Sequence, residues 1–288
     1  MNFSIFFSTM QQKPLEILVT NDDGYTAKGI NLLASMLTAY GNVTVVAPDQ
    51  AQSGMSAAIS LGRPLRLFQR SSEIYNNGNR LEVYSLTGSP ADCVKMAMNK
   101  FFKAGGSETV EQDPTDRGEK PHIIFSGINH GSNASIASLY SGTLGAAAEG
   151  AIYGVKSIGL SINTHHPYPD FTQIEPHLRK IIANAMNSEL PQGVYLNVNF
   201  PAIPAEEIKG IKIAKQGDGM WHKEFEQRKD PHGRDYYWMT GNFKNLEQHP
   251  ENKGDHHLMD QGYITIVPHK IDTTCYNTMQ QLENEWEL

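Results

Sequence analysis

Residues 15–24, LEILVTNDDG, constrain the fold more than any other stretch of this chain. A short, mostly apolar run that stops abruptly at four turn-forming residues reads as a strand buried on both faces, the kind found in parallel sheets. From Gly29 the period changes: Ile30, Leu33, Ala34 and Leu37 recur at helical spacing, and Gly41 stands where that helix should stop. Residues 43–47, VTVVA, repeat the buried-strand pattern and close on Pro48. Strand, helix and strand within about 30 residues make a βαβ unit, whose crossover should be right-handed. The chain is therefore expected to be α/β, with a mainly parallel sheet.

The pattern recurs downstream. Residues 81–86 read as a strand, residues 91–102 as a helix after the turn Gly88-Ser89-Pro90, and residues 122–126 (HIIFS) as a third buried strand that runs into the loop 127–133. Ser141-Gly142-Thr143 opens an alanine-rich helix over residues 144–153. A strand follows at 157–162, an amphipathic helix at 171–188 and an alternating strand, YLNVNF, at 195–200. Residues 107–120 are polar, acidic and contain proline and glycine, as a surface connection does. After Pro201 the chain becomes polar, with clustered aromatics (Trp221, Phe225, Tyr236, Tyr237, Trp238) and many histidines, before one more strand at 262–268. The organisation expected is an N-terminal extension over 1–14, an α/β core over 15–205, and a C-terminal extension over 206–288 with little core of its own.

Charge narrows the function. Twenty-four Lys and Arg against 31 Asp and Glu give a net charge of −7, which argues against bulk electrostatic binding to nucleic acid or to an anionic membrane. An anionic substrate would then need a local reversal of sign. Two cysteines, Cys93 and Cys275, are too few for a disulfide framework or a cysteine zinc site and point to a reducing compartment, the cytoplasm. No run of about 18 apolar residues is present to span a membrane. Residues 1–10, MNFSIFFSTM, lack the basic start and small-residue cleavage site of a signal peptide and are expected to be a ragged extension.

In an open parallel sheet, ligands bind beyond the carboxyl ends of the strands. The residues expected there are Asn21-Asp22-Asp23-Gly24, residues 49–56 (DQAQSGMS), Gly88-Ser89-Pro90 and residues 127–133 (GINHGSN). Most are short and oxygen-bearing, or glycine; none is a cysteine or a basic cluster. The Asn-Asp-Asp-Gly run has two readings. Asn, Asp and Gly are favoured turn residues. Two adjacent carboxylates close to other oxygen-rich loops equally suit a hard divalent cation, Mg²⁺ or Mn²⁺, which would invert the local potential for an anion. Ser141-Gly142-Thr143 is either an ordinary N-cap or half of a phosphate clamp made of N–H groups and hydroxyls at a helix N-terminus.

Several chemistries are disfavoured. The chain has no GxxxxGK[ST], no GxGxxG and no G-x-S-x-G, which speaks against NTP-driven, dinucleotide and α/β-hydrolase enzymes. The adjacent pairs His165-His166 and His256-His257 cannot share a face, and H-E-x-x-H is absent, so no histidine zinc site is expected. The stretch Tyr236-Tyr237-Trp238 can either stack on a base or bury against another subunit.

Taken together, these segments resemble the SurE family, the survival-protein nucleotidases, from residue 15 to residue 270. The resemblance is carried by ILVTNDDGYTAKGI, VVAPDQAQSG, GSPADCV, FSGINHGSN, YSGTLGAAAEG, LNVNFP, DPHGRDYYW and GYITIVP, in the family's order. It implies a three-layer, Rossmann-like core with a C-terminal extension used to form a homodimer or homotetramer. The implied activity is that of a metal-dependent phosphomonoesterase acting on nucleoside 5′- or 3′-monophosphates and, in some members, on short polyphosphate. The same resemblance puts one divalent ion per subunit, Mg²⁺ or Mn²⁺, on Asp22, Asp23, Ser53 and Asn129, with Asp22 and Asp23 in the catalytic role. Phosphate would be met by Asn21, Gly54, Gly131, Ser141, Gly142 and Thr143.

The sequence departs from the family's pattern in three places. Gln50-Ala51-Gln52 stand where many members carry arginines before the serine, so a basic contact to phosphate must come from elsewhere, with Arg63 and Lys95 as candidates. His130 follows Asn129 where a small or basic residue is common, and His269 follows Pro268 where an apolar one is usual. A haloacid-dehalogenase-type phosphatase would need Asp-x-Asp rather than an adjacent pair. A regulatory module without catalysis would need a damaged ligand, and the sequence offers none.

Overall fold

A computed structural model describes residues 13–102, 117, 120–164, 166, 169–247, 251 and 253–287. Nearly all of the expected N-terminal extension, most of the connection over 107–120, and His165 lie outside these residues.

The core chain runs β1 (Leu15–Thr20), α1 (Lys28–Leu37), β2 (Gly41–Pro48), β3 (Leu67–Ile74), β4 (Arg80–Leu86), α2 (Pro90–Lys100), β5 (Ile123–His130), α3 (Gly142–Ile152), β6 (Ser157–Asn163), α4 (Glu175–Asn187) and β7 (Val194–Pro201). The rest adds β8 (Ile211–Ile213), β9 (Gly219–His222), β10 (Phe225–Lys229), β11 (Asp235–Met239), β12 (Asn242–Asn245), α5 (Asp255–Asp260), β13 (Ile264–Lys270) and α6 (Tyr276–Glu285).

The apolar strands have to satisfy two cores at once, because successive side chains of a strand point to opposite faces. Ile17 and Val19 of β1, with Val43 and Val45 of β2, pack against Ile30, Leu33 and Leu37 of α1 and Leu178, Ile181 and Ile182 of α4. Leu18 and Val46 point the other way, onto Val94, Ala97 and Met98 of α2 and Ala146 of α3. Helices, sheet and helices form the three expected layers. One nine-stranded sheet runs in the order β3-β4-β2-β1-β5-β6-β7-β13-β8. Its strands β4, β2, β1, β5, β6 and β7 are mutually parallel, while β3 is antiparallel to β4 and β13 is antiparallel to β7.

Local details differ from the sequence expectation for physical reasons. The first helix ends at Leu37, and Gly41 opens β2 instead of stopping the helix; a Cβ there would lie 2.2 Å from the Leu15 carbonyl oxygen. The helix expected over 171–188 divides into a 3-10 turn, Phe171–Gln173, and α4, whose first turn contains Pro176.

The extension over 206–288 contributes two strands to the core sheet. β13 pairs antiparallel to β7, and β8 pairs parallel to β13. Standing away from the core are two antiparallel ribbons, β9 with β12 and β10 with β11, and helix α6, which buries none of its residues. No helix among the described residues is long and apolar enough to cross a membrane.

Asp255, fully buried at the start of α5, ties the ribbons to the core. Its Oδ1 accepts from the backbone N–H groups of Gly217 (2.9 Å), Ser135 (3.0 Å) and His256 (2.8 Å), and its Oδ2 from Ser135 (3.0 Å). The Ser135 hydroxyl donates to the Gly217 carbonyl at 2.9 Å. Asp255→Ala leaves the buried N–H groups of Ser135 and Gly217 and the partly buried one of His256 without that acceptor, so it should lower stability by about 3 kcal/mol in urea denaturation. Asp255→Asn, which keeps one acceptor oxygen, should cost less.

Candidate active site

The chain leaves β1 for β2 on one side and later returns to place β5 on the other, so the sheet order reverses between β1 and β5. At such a switch point the loops diverge and open a crevice beyond the carboxyl ends of the strands. Asn21-Asp22-Asp23-Gly24 leave β1 there, and Asn129 and His130 end β5.

Both readings of the Asn-Asp-Asp-Gly run have a place in the structure. Asn21 is buried, and its Nδ2 donates to the Gly24 carbonyl at 3.0 Å, closing a turn that needs Gly24 at φ +93°. That turn projects the two carboxylates between its ends. Asp22 is 3% exposed; Thr143 Oγ1 donates to its Oδ1 at 2.6 Å, and the Thr143 backbone N–H donates to the same carboxylate. Burial, with the charge of Asp23 adding to it, pushes the Asp22 carboxyl up to about 6. Asp23 is half-buried, its Oδ2 accepts from the His130 backbone N–H at 3.1 Å, and burial raises its pKa as well. Among the described residues, neither carboxylate is drawn down by a Lys or Arg.

Two neutral side chains, Ser53 and Asn129, line the same cleft as Asp22. Asn129 uses Nδ2 to donate to the Gly131 carbonyl at 2.9 Å, which orients the amide and leaves Oδ1 as an acceptor. Gln52 N–H donates to the Asp22 carbonyl at 2.7 Å and so fastens the 49–56 loop, with Ser53, to the end of β1. Asp22, Ser53 and Asn129 line one cleft of about 730 Å³, with Asp23 just beside it. No group of three or more His, Cys, Asp or Glu placed for a metal occurs among the described residues. An ion here would rest on two carboxylates completed by a hydroxyl and an amide. That all-oxygen set fits Mg²⁺ or Mn²⁺ and is a poor match for zinc.

The expected phosphate contacts separate into two groups. Gly54, Gly131 and Ser141 line the cleft. Asn21, Gly142 and Thr143 do not; they build the Asp22 environment. The N-terminus of α3 holds an anion, as its sequence suggests, but the anion is the chain's own Asp22 carboxylate. Gly142 allows this approach, since a Cβ there would lie 2.9 Å from Asp22 Cβ and 3.0 Å from Oδ2. Ser89 caps α2 in a capping box with Asp92 and does not line the cleft. Nor do the candidate cations: Arg63 bonds Ser60 Oγ at 2.8 Å, and Lys95 is held by Glu149 at 2.6 Å. His269 stacks on Tyr195 away from the cleft.

Sequence reasoning missed the opposite wall. Trp221, Glu224, Met239 and Thr240 of the ribbons face the core loops across the cleft, joined by Ala137, Tyr140 and His130. The aromatic cluster between 215 and 260 was the available signal. Within it Trp221 faces the cleft, whereas Tyr236, Tyr237 and Trp238 do not line it.

The chain matches the family model described as "Survival protein SurE" over residues 17–223. A protein named 5′-nucleotidase SurE from Flavobacterium johnsoniae is 42% identical over 277 residues, which cover 96% of this chain and 98% of the relative. Its namesake from Flavobacterium psychrophilum is 41% identical over 276 residues, with the same coverage. The crystal structure of the SurE protein from Aquifex aeolicus superposes with a TM-score of 0.71 at 31% identity, covering 93% of this chain and 98% of that one.

The Asp22 environment has a cost that can be measured. Its carboxyl titrates at about 6 in the fold against 3.8 ordinarily, so folding takes up a proton between those values. The stability of the metal-free protein should therefore fall as pH rises through that window. Asp22→Asn keeps an oxygen for Thr143 and removes the buried charge. In EDTA at neutral pH it should raise stability by on the order of 2 kcal/mol and flatten the pH dependence, read from urea midpoints across the window.

Proposed function

We propose, because this chain belongs to the survival protein SurE family, that it is a 5′-nucleotidase, a hydrolase that converts nucleoside 5′-monophosphates to nucleoside and phosphate with the help of a divalent metal ion. The observation that carries this reading is the adjacent, largely buried pair Asp22 and Asp23 at the β1–β5 switch point, with neutral side chains beside it and, among the described residues, no Lys or Arg pulling either pKa down. Mg²⁺ or Mn²⁺, when bound, polarises a phosphoryl oxygen and lowers the pKa of a water.

The chain's own residues do the rest. Asp22 and Asp23 would hold the ion, one per subunit, with Ser53 Oγ and Asn129 Oδ1 as the neutral oxygens beside them. One of the two carboxylates also orients the attacking water and takes its proton. The water oxygen bonds to phosphorus as the bond to the nucleoside oxygen breaks, and the proton taken from the water passes to that leaving oxygen. N–H groups near Gly54 and Gly131, with Ser141, meet the charge on the equatorial oxygens. No basic side chain is needed for this, which is consistent with Gln50-Ala51-Gln52 in the adjoining loop.

The same phosphate site accommodates nucleoside 3′-monophosphates and the end of a short polyphosphate, which are the further substrates of this reading. A homodimer or homotetramer formed through the C-terminal extension would cover Phe225, Trp238, Met239 and Trp286, all exposed by more than half. Light scattering at the mass of two or four subunits supports that assembly; a monomer at micromolar concentration overturns it.

The activity is tested by phosphate release from nucleoside monophosphates and short polyphosphates in Mg²⁺, Mn²⁺ and EDTA. Release should require the metal, and Asp22→Asn or Asp23→Asn should each lower kcat by about 10²–10³ or more. Turnover near wild type in saturating Mn²⁺ would remove the assigned role of that carboxylate.

A further inference from the structure

A phosphate group needs only a few water volumes of about 30 Å³ each, yet the cleft beside Asp22 measures about 730 Å³. One side of that space is the wall made by the ribbons. We infer that Trp221 is the platform on which the nucleobase of the substrate stacks; this rests on the nucleotidase reading above and extends it from the phosphate to the base.

Three observations prepare Trp221 for this. First, its ring is fixed from behind. Trp221 stands directly opposite Phe243 across the β9–β12 ladder, and the rings meet edge to face at 5.8 Å and 75°. Phe243 is in turn stacked on His256 at 4.5 Å. Second, glycines make room for both rings. A Cβ at Gly219 would lie 2.2 Å from Phe243 Cζ, and one at Gly241 would lie 3.3 Å from Trp221 Cε3. Third, the ribbon that carries Trp221 is anchored at its root by the Asp255 carboxylate and by the hydroxyl of Ser135, which lies between the β5 loop and α3. The platform is therefore held in register with the loops of the phosphate end.

The rest of the wall sets the direction of the ligand. Glu224 lines the cleft beside Trp221 and repels a phosphate, so the phosphoryl end belongs with Asp22 and the base with Trp221. Tyr140, which also lines the cleft, is 57% exposed and makes no ring contact with an aromatic neighbour among the described residues. A ring already held in place loses less entropy when a base stacks on it. That difference selects Trp221 over Tyr140.

The test compares AMP with ribose 5-phosphate, which keeps the phosphoryl and sugar groups and lacks only the base. Phosphate release by the full-length protein is measured with Mn²⁺ for wild type, Trp221→Ala, Trp221→Leu and Trp221→Phe. Wild type should prefer AMP. Trp221→Ala should lower kcat/KM for AMP by roughly 10-fold or more, mainly through KM, and leave that for ribose 5-phosphate within about twofold, as expected for a lost stacking contact. Trp221→Phe should retain most of the preference. If the alanine variant does not fold, Trp221→Leu, which keeps apolar bulk against Phe243 without an extended π face, must give the same split. Equal losses on both substrates would reveal a structural role and overturn the inference, as would an unchanged kcat/KM for AMP or no wild-type preference for AMP. Failure of the nucleotidase reading looks different: wild type then releases no phosphate from AMP in either metal.

Discussion

The contact between the Asp22 carboxylate and the first turn of α3 organises the whole open end of the sheet. Thr143 gives both its hydroxyl and its backbone N–H to this one side chain. The exposed N–H groups of a helix start carry partial positive charge, which offsets part of the cost of holding an ionised group out of water. Geometry makes the contact possible only because two residues of α3 have no Cβ. Gly142 lets the helix close on Asp22, and Gly145 lets it close on the 49–56 loop, where a Cβ would lie 2.1 Å from the Ser56 carbonyl oxygen. A strand end, a helix start and the loop bearing Ser53 are thereby drawn onto one point.

Charge is distributed over the sheet with a clear polarity. At the amino ends of the strands, acids and bases cancel. Glu16 of β1 accepts from Asn42 Nδ2 at 2.8 Å and pairs with Arg80 at 3.0 Å, while Glu82 pairs with Arg80 at 3.0 Å and with Arg117. At the carboxyl ends, Asp22 and Asp23 sit together with no such partner among the described residues. The net charge of −7 is thus a weak guide to what the molecule binds. What matters is that two adjacent carboxylates with no Lys or Arg partner among the described residues stand at the cleft, where a cation would turn a repulsive site into an attractive one for phosphate.

The sequence was most readable where local pattern and tertiary environment coincide. LEILVT and VTVVA are largely apolar on both faces because both faces are buried, so a mainly parallel sheet could be foreseen from two short runs. The segments that hold Asp22, Asp23, Ser53 and Asn129 could be flagged because they lie at the ends of strands that announce themselves; that these four act together is what the family resemblance implied. Other features depend on contacts that no local pattern encodes. β3, LFQRSSEI, is a mostly exposed edge strand without a clean alternation, and β8 is three residues long and exists only because β13 returns beside it. Ser141-Gly142-Thr143 was readable as an anion site, but which anion fills it depends on residues 119 or more positions away. Trp221 was hidden for a similar reason: a ring in a polar, exposed ribbon shows its purpose only when the facing core loops are in view.

Two buried aspartates illustrate how one residue type is put to two ends. Asp255 accepts backbone N–H groups from two distant segments, at Ser135 and Gly217, and from its neighbour His256, and has no carboxylate neighbour in sequence. Its oxygens are fully used, so it works as a fastener between the ribbons and the core. Asp22 receives only Thr143 from outside its own turn, and its neighbour in sequence is another acid. It is held in place without being satisfied, the condition under which a carboxylate still gains by meeting a cation. The two are linked through residues 129–143, which run from Asn129 past Ser135 to Thr143. Asp22 is gripped at one end of that segment, and Asp255 grips it near the middle. The aromatic wall is therefore positioned relative to the phosphate end by hydrogen bonds to one continuous stretch of chain. That continuity explains how a thin, solvent-exposed ribbon can supply a rigid side to a cleft whose other side is the edge of a nine-stranded sheet.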